Sequence, residues 1–420
     1  MPEREVYFRQ SRTYELIVKI KDLEYTQDVT RVSVFSSLTT AYQVVTITML
    51  IDPNDVVLED VFGNEPIKLT INRLSQDNVP SDGIEMELVY LKSDLPITEK
   101  STLSKSTQKD RVPFTITTVV RPAYNTMMTI VNGVYIGQTL DTIISDLASQ
   151  AGTTINYDSE GRNTETIDQV CVPPITLYRA IKEHMRTASN VFDGFLDQRF
   201  GLFEGVPGVF CQYDNKVYIK NLTRKLQKNQ TFTVYQLATE GGENNEEIME
   251  KSVDGKNFYT YDKIKSDYSA NSRLANLGTT LNHIVKPNDS LAGILQQNLI
   301  EVAQNYSLVY KNSNLSHDSG ITKESYFMGD TGYNTSRTLF NSRFGRVMSD
   351  MSTISFRVER SLPILNLLNV GEAVKFKPQT VEYSDFEGKY ILYSSALVFE
   401  RKGDWSSVAT LNLMRTNKKS

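Results

Sequence analysis

Strict alternation of apolar and polar residues fills the first quarter of the chain and restricts what it can become. Leu16, Val18 and Ile20 alternate with Glu15, Ile17 and Lys19, and Val45, Ile47 and Met49 with Thr46 and Thr48. Ile67, Leu69 and Ile71 alternate with Lys68 and Thr70, and Ile84, Met86 and Leu88 with Glu85 and Glu87. A period of two residues puts one face of a strand in the core and leaves the other in water. Turn clusters such as Asp52-Pro-Asn-Asp and Pro80-Ser-Asp-Gly part the runs. Antiparallel strands at this spacing close into a small barrel or a sandwich. Phe114, Ile116, Thr118 and Val120 supply one more alternating strand, after a Ser/Thr/Lys-rich stretch at 92–111 that reads as an exposed loop or hairpin tip.

The period then changes. Leu140, Ile143, Ile144, Leu147 and Ala148 follow the spacing of an amphipathic helix, with Thr139 placed to cap it and Ala151-Gly152 to stop it. A second helix is expected after Pro173-Pro174, with Leu177, Tyr178, Ile181 and Met185 as its stripe. Gly201-Leu-Phe-Glu-Gly-Val-Pro-Gly then leads into two short β-runs, 209–213 and 216–220, separated only by Asp214-Asn215. Both turn residues tolerate positive φ, so the pair reads as a tight hairpin. We expect it to begin a second β-unit.

Thr231-Phe-Thr-Val-Tyr-Gln-Leu continues as a strand, and Glu240-Gly-Gly-Glu-Asn-Asn-Glu-Glu reads as an acidic exposed turn. Asn257-Phe-Tyr-Thr-Tyr reads as a strand, and Asp289 or Ser290 caps a helix striped by Leu291, Ile294, Leu295, Leu299 and Val302. Residues 311–336 are Ser/Asn/Gly-rich loop. From Asp350 the β-pattern returns: Ile354, Phe356 and Val358, then a strand entered at Val370-Gly-Glu-Ala-Val. A long hairpin follows, turning at Arg401-Lys-Gly-Asp. The fold class expected is mainly β with inserted α+β segments.

Motifs that carry chemistry are absent. His184, His283 and His317 stand alone, away from any metal-binding spacing. Gly255-Lys256 and Gly388-Lys389 lack the Ser/Thr and the preceding glycine of a phosphate loop, and no Gly-x-Ser-x-Gly occurs. Asp193 with Asp197, or Glu204 with Asp214, could serve glycoside hydrolysis only if folding set them across a sugar. Cys171 and Cys211 each sit among apolar neighbours and read as buried thiols. A net charge of −5 without a basic stripe argues against nucleic-acid binding, and no apolar run reaches membrane-helix length. Together with the lack of a signal-peptide pattern at Met1-Pro-Glu-Arg-Glu, this points to synthesis in a cytosol. The expectation is a non-enzyme with no catalytic, cofactor-binding or metal residues and no cofactor.

Pro173-Pro-Ile-Thr-Leu-Tyr-Arg-Ala-Ile, Gly201-Leu-Phe-Glu-Gly-Val-Pro-Gly-Val-Phe and Lys216-Val-Tyr-Ile-Lys-Asn-Leu-Thr resemble the baseplate hub proteins of contractile-tailed, T4-like bacteriophages. The ending is similar to the wider tail-hub group through Val370-Gly-Glu-Ala-Val, Gly388-Lys-Tyr-Ile-Leu-Tyr-Ser-Ser and Trp405 to Arg415, as is Val29-Thr-Arg-Val-Ser-Val near the start. The resemblance implies two tail-tube-like antiparallel β-barrel domains with smaller domains inserted. The expected division is a first barrel at 1–122, an α-containing insertion at 123–203 and the start of the second barrel at 204–238. A mixed α/β insertion at 239–345 and the completion of the second barrel at 346–420 follow.

It further implies a homotrimer in the virion tail baseplate, assembled in the host cytoplasm and joining the tail tube or tube-initiator protein to the central spike. Baseplate wedge proteins surround such a hub, and DNA or tape-measure protein passes through its lumen without specific binding. The close alternative is the hub of a non-contractile tail tip or phage-derived injection system; a carbohydrate-active β-protein is the alternative of another class. The contact surfaces expected are the strand Thr39–Leu50, the 92–111 loop and the terminal hairpin.

Overall fold

The structure is a computed structural model that describes residues 14–21, 23–37, 43–51, 65–74, 79–94, 111–157, 166–181, 209–211, 217–219, 230–238, 245–268, 352–358 and 364–415. The three histidines, the helix expected at 291–302, the 311–336 stretch and most of the 92–111 loop lie outside these residues.

The N-terminal strands are β1 (Tyr14–Ile20), β2 (Leu23–Glu24), β3 (Val29–Ser37), β4 (Val44–Ile51), β5 (Ile67–Leu74), β6 (Pro80–Asp94) and β7 (Val112–Val120). Alternation predicts β1, β4, β5, β6 and β7, but Pro80-Ser-Asp-Gly, expected as a turn, lies within β6 because it pairs with the end of β5, with a register shift at Leu74↔Pro80. Strands β1 to β7 pair antiparallel in the order β2-β1-β5-β6-β7-β4-β3. The alternating apolar set, from Leu16 through Ile47, Leu69, Met86 and Ile116, is fully buried. Thr118, on the same inward face, donates its hydroxyl proton to the Val45 carbonyl at 2.9 Å, which makes its burial tolerable. The turn between β2 and β3 stays on β1: Tyr25 N–H donates to Val18 O at 2.9 Å, and Val18 N–H to Thr26 Oγ1 at 3.2 Å.

An inserted unit follows, with α1 (Arg121–Met128), β8 (Ile130–Thr139), α2 (Leu140–Gln150), β9 (Ile155–Tyr157) and β10 (Thr166–Thr176). α2 is the expected helix. Thr139 caps it by accepting from Thr142 N–H, and Ile143, Ile144, Leu147 and Ala148 are buried. Pro173-Pro174 does not start a helix. Both prolines lie in β10, where the pairing with β8 shifts register between Val172 and Ile175, because proline cannot donate to a ladder and is tolerated at a bulge. The helical turn begins at Leu177 under a Thr176 cap.

The two β-runs are present as β11 (Val209–Cys211) and β12 (Val217–Ile219), but their register, Val209↔Ile219 and Cys211↔Val217, leaves an odd number of residues between partners and does not fit the two-residue turn expected at Asp214-Asn215, which lie outside the described residues. Their place also differs from the expectation. β12 pairs in parallel with β9 (Val217↔Ile155), so the hairpin joins a small three-stranded sheet of the insertion and not the large C-terminal one.

The C-terminal unit contains β13 (Phe232–Gln236), α3 (Asn245–Lys251), β14 (Asn257–Thr260), β15 (Lys265–Tyr268), β16 (Ser352–Val358), β17 (Ala373–Pro378), β18 (Gly388–Lys402) and β19 (Asp404–Arg415). Glu247, expected in a turn, lies in α3 and pairs with Lys251 one helical turn on. The sheet is not purely antiparallel, as had been expected. β13 runs parallel to both β14 and β17, because the helix-bearing connection from β13 to β14 allows a crossover. Gly403, with φ of 86°, turns β18 into β19.

β18 welds the two units into one sheet. Residues 388–391 pair with β17, then Ser394 to Glu400 pair with β3. Between them Tyr393 stands as an extra residue in the pairing with β19. Tyr390, Ile391 and Leu392 are all buried before this bulge, and Ser394, Ser395, Leu397 and Phe399 after it. The strand is therefore buried in both units. Across this joint Tyr14 meets Phe399 edge-on at 5.3 Å, and Ile364 N–H donates to the Tyr14 hydroxyl at 2.9 Å. Arg401 donates to the Thr26 and Gln27 carbonyls and to Gln27 Oε1, clamping the far end of β18 to the turn before β3.

Burial pushes the Tyr14 hydroxyl up from 10.0 to about 12, against the Ile364 hydrogen bond and the nearby Arg73 charge. The unfolded chain ionises at its ordinary value while the fold holds the phenol neutral. Stability from Tyr14 is thus complete below pH 10 and lost as pH rises towards 12, by on the order of 2 kcal/mol. Tyr14→Phe should cost about 1 kcal/mol at pH 8 by leaving Ile364 N–H unpartnered, and denaturant titrations from pH 8 to 11.5 should show a shallower alkaline loss than in the parent. An unchanged slope would exclude Tyr14 as a source of it.

Candidate assembly surfaces

With no catalytic motif to follow, the functional candidates are faces and edges. β4, the described part of the Thr39–Leu50 candidate, lies between β3 and β7 with both edges hydrogen-bonded. β18 and β19 of the terminal hairpin are likewise flanked on both sides, by β17, β3 and β16. Neither offers a free edge along its paired length, so edge pairing there is closed to a partner. What β4 does present is a neutral outer stripe: Thr46 stands opposite Thr117, and Thr48 opposite Thr115 with their hydroxyls 3.1 Å apart.

The surface that sequence reading missed is on β8. Ile130, Val134 and Ile136 point away from the core and are 63%, 63% and 71% exposed, and Met128 at the end of α1 is 61% exposed. The opposite face of the same strand carries Val131 and Tyr135, both buried. Cross-strand partners on the outer face are Gln169 beside Ile136 and Cys171 beside Val134. Cys171 was expected to be buried. Its neighbours Val170 and Val172 are, but alternation turns the thiol itself outward, where it is exposed. Asn132, Gly133 and Gly137 break the hydrophobic pattern of β8, which left the strand without a clear signature.

Polar groups on the inner side hold this face rigid. Tyr135 donates to Asp146 Oδ2 at 2.6 Å, Gln150 Nε2 donates to the same oxygen at 3.0 Å, and Gln150 Oε1 accepts from Asn132 N–H at 3.2 Å. These bonds tie β8 to α2. Burial, then the hydrogen bond to the Asp146 carboxylate, hold the Tyr135 phenol well above its ordinary range, so it stays protonated at physiological pH. The Tyr135 ring lies over Gly133, close enough that a Cβ there would meet it at 2.6 Å.

Among the described residues, no group of three or more His, Cys, Asp or Glu side chains is placed to hold a metal ion. Asp193, Asp197, Glu204 and Asp214 lie outside the described residues. Among the described residues no helix is long and apolar enough to cross a membrane.

No protein-family model and no curated protein matches the sequence. The fold, however, is similar along nearly its whole length to two solved structures. One is a tail protein from Neisseria meningitidis MC58, with 9% identity, 96% of this chain and 97% of that chain covered, and a TM-score of 0.53. The other is the 43 kDa tail protein of prophage MuSo2 from Shewanella oneidensis, with 10% identity, 96% and 99% coverage, and a TM-score of 0.51. The chain shares the mainly β, mixed-sheet fold of these phage tail proteins.

Gly133→Ala should destabilise the protein by about 1–3 kcal/mol through overpacking against Tyr135. An alanine in an open strand position would instead stabilise it, since glycine weakens strands. Thermal unfolding gives the sign, and a gain in melting temperature would rule out the Tyr135 contact.

Proposed function

We propose that this chain is a structural component of a phage-type tail: the central baseplate hub, in which three copies join the tail tube to the central spike. The observation that carries the reading is the likeness in fold to two phage tail proteins over 96% of the chain in each case. A hub between a threefold spike and a sixfold tube needs two equivalent tube-like units per chain, because a closed ring repeats its contacts around the axis. The two β-units supply candidates. In the N-terminal one, seven antiparallel strands run in order from β2 to β3, and the turn that joins these two end strands lies on β1 through Tyr25 and Thr26. In the C-terminal one, Thr260 on β14 donates its hydroxyl proton to the Arg357 carbonyl on β16, linking strands from opposite ends of the pairing order. Each unit is thus read as a small tube-like barrel.

On this reading the first barrel would end near 122, the insertion would take in the paired runs at 209–219, since β12 lies on β9, and the second barrel would be built from β13 and from β16 to β19. The hub would sit in the virion tail baseplate, touching spike, tube or tube-initiator and wedge proteins. A net charge of −5 suits a channel wall past which DNA or tape-measure protein slides without binding. The absence of catalytic motifs in the sequence agrees with a non-enzymatic part.

Native mass measurement and electron microscopy of the purified chain, alone and with the tail-tube and spike proteins of the same tail, test this. The expected mass is three times 47.6 kDa, with a central channel and stable capture of the spike. A strict monomer that ignores both partners would sink the proposal.

A further inference from the structure

From the inner face of the joint between β3 and β18 we infer an enclosed hydration site, a single ordered water held by Ser36, Gln43 and Ser395. These side chains are 1%, 1% and 0% exposed. Gln43 Nε2 donates to Ser36 Oγ at 3.0 Å, while Gln43 Oε1 and Ser395 Oγ have no hydrogen-bond partner among the described residues. Buried polar groups in native proteins are almost all bonded, so two orphaned atoms beside one hydroxyl call for a shared ligand.

The pairing gives that ligand room. Ser395 stands directly opposite Ser36 in the ladder of β18 with β3. Directly opposed residues hold their Cβ atoms about 5 Å apart, and two hydrogen bonds of about 2.8 Å each, meeting at one oxygen, span such a gap. The next rows on the same face hold Val34 with Leu397 and Val32 with Phe399, all fully buried. Two serines in that series replace branched and aromatic bulk by hydroxymethyl groups, in an interior that packs without large voids. The neighbours supply no other partner. Leu411, opposite Ser395 on its other side, has an apolar side chain, and the Thr118 hydroxyl is committed to the Val45 carbonyl.

The bonding demand selects water. Gln43 Oε1 needs a donor, and the hydroxyl protons of Ser36 and Ser395 need an acceptor. One water donates to the first and accepts the other two, making the three bonds usual for a buried water. An ion in the same place would be a buried charge with no countercharge in the cluster. The water joins β3, β4 and β18 near the point where β18 changes neighbours. It makes the pairing of the two units selective, because a one-residue slip of β18 turns Ser395 to the other face and leaves Ser36 and Gln43 unserved.

A crystal structure of the full-length chain, at a resolution that orders solvent, should show one peak within about 2.6–3.2 Å of all three side-chain oxygens. Ser395→Ala and Gln43→Met each remove one ligand and should lower the melting temperature by a few degrees. The double variant should lose less than the sum, since the second change strips a ligand from a water already lost. A map with no peak at this position overturns the inference, as does one in which Ser395 and Gln43 bond each other directly. A rise in melting temperature for either single variant also overturns it, because deletion then relieves a buried group that had no water. Additive losses exclude the shared ligand. None of these results bears on the hub reading, which the mass measurement decides.

Discussion

Everything in this molecule hangs on the antiparallel pairing of β3 with the second half of β18. Neither strand belongs by sequence to the other's neighbourhood, being separated by more than three hundred residues, yet Ser394↔Ser37 to Glu400↔Arg31 form an unbroken ladder. Closing so long a loop costs only slowly growing entropy, but the ladder must recover it through burial. It does so through Leu397 and Phe399 beneath the ladder, Tyr14 against Phe399, and Arg401 at the end. At Tyr393 the strand gains one residue in its pairing with β19 as its other neighbour changes from β17 to β3, and burial continues across the change.

The insertion stands outside this large sheet. The segments between β7 and β13, bearing β8, α2 and the β11–β12 hairpin, pair among themselves and not with the large sheet. Such a unit is free to carry a contact surface. β8 packs one face on α2 through Tyr135 and leaves Ile130, Val134 and Ile136 exposed on the other.

Much of the frame is legible in the sequence because alternation encodes it directly. Leu16, Ile47, Leu69 and Met86 are core residues by pattern and core residues in the fold. Likewise Thr139 is visible as a cap, and the runs of β11 and β12 as paired strands. What pattern does not encode is partnership. Nothing local tells β12 to lie beside β9, or β18 to change neighbours at Tyr393, since pairing is set by contacts distant in sequence. The candidate surface was hidden for a related reason. A strand exposed on one side with apolar residues on that side, and with Gly133 and Gly137 within it, breaks the very rule by which strands are recognised. Cys171 misled likewise, because its flanking valines mark burial of the opposite face.

The claim on which the account turns is that two β-units make one cooperative body through β18. Native-state amide hydrogen exchange resolves this residue by residue. Amides in the interior of β4, such as Ile47, and of β19, such as Leu411, should open with the same free energy and respond together when Phe399→Ala weakens the joint. Two protection classes, with β4 unmoved by Phe399→Ala while β19 loses protection, would contradict it and leave two independent units that merely touch.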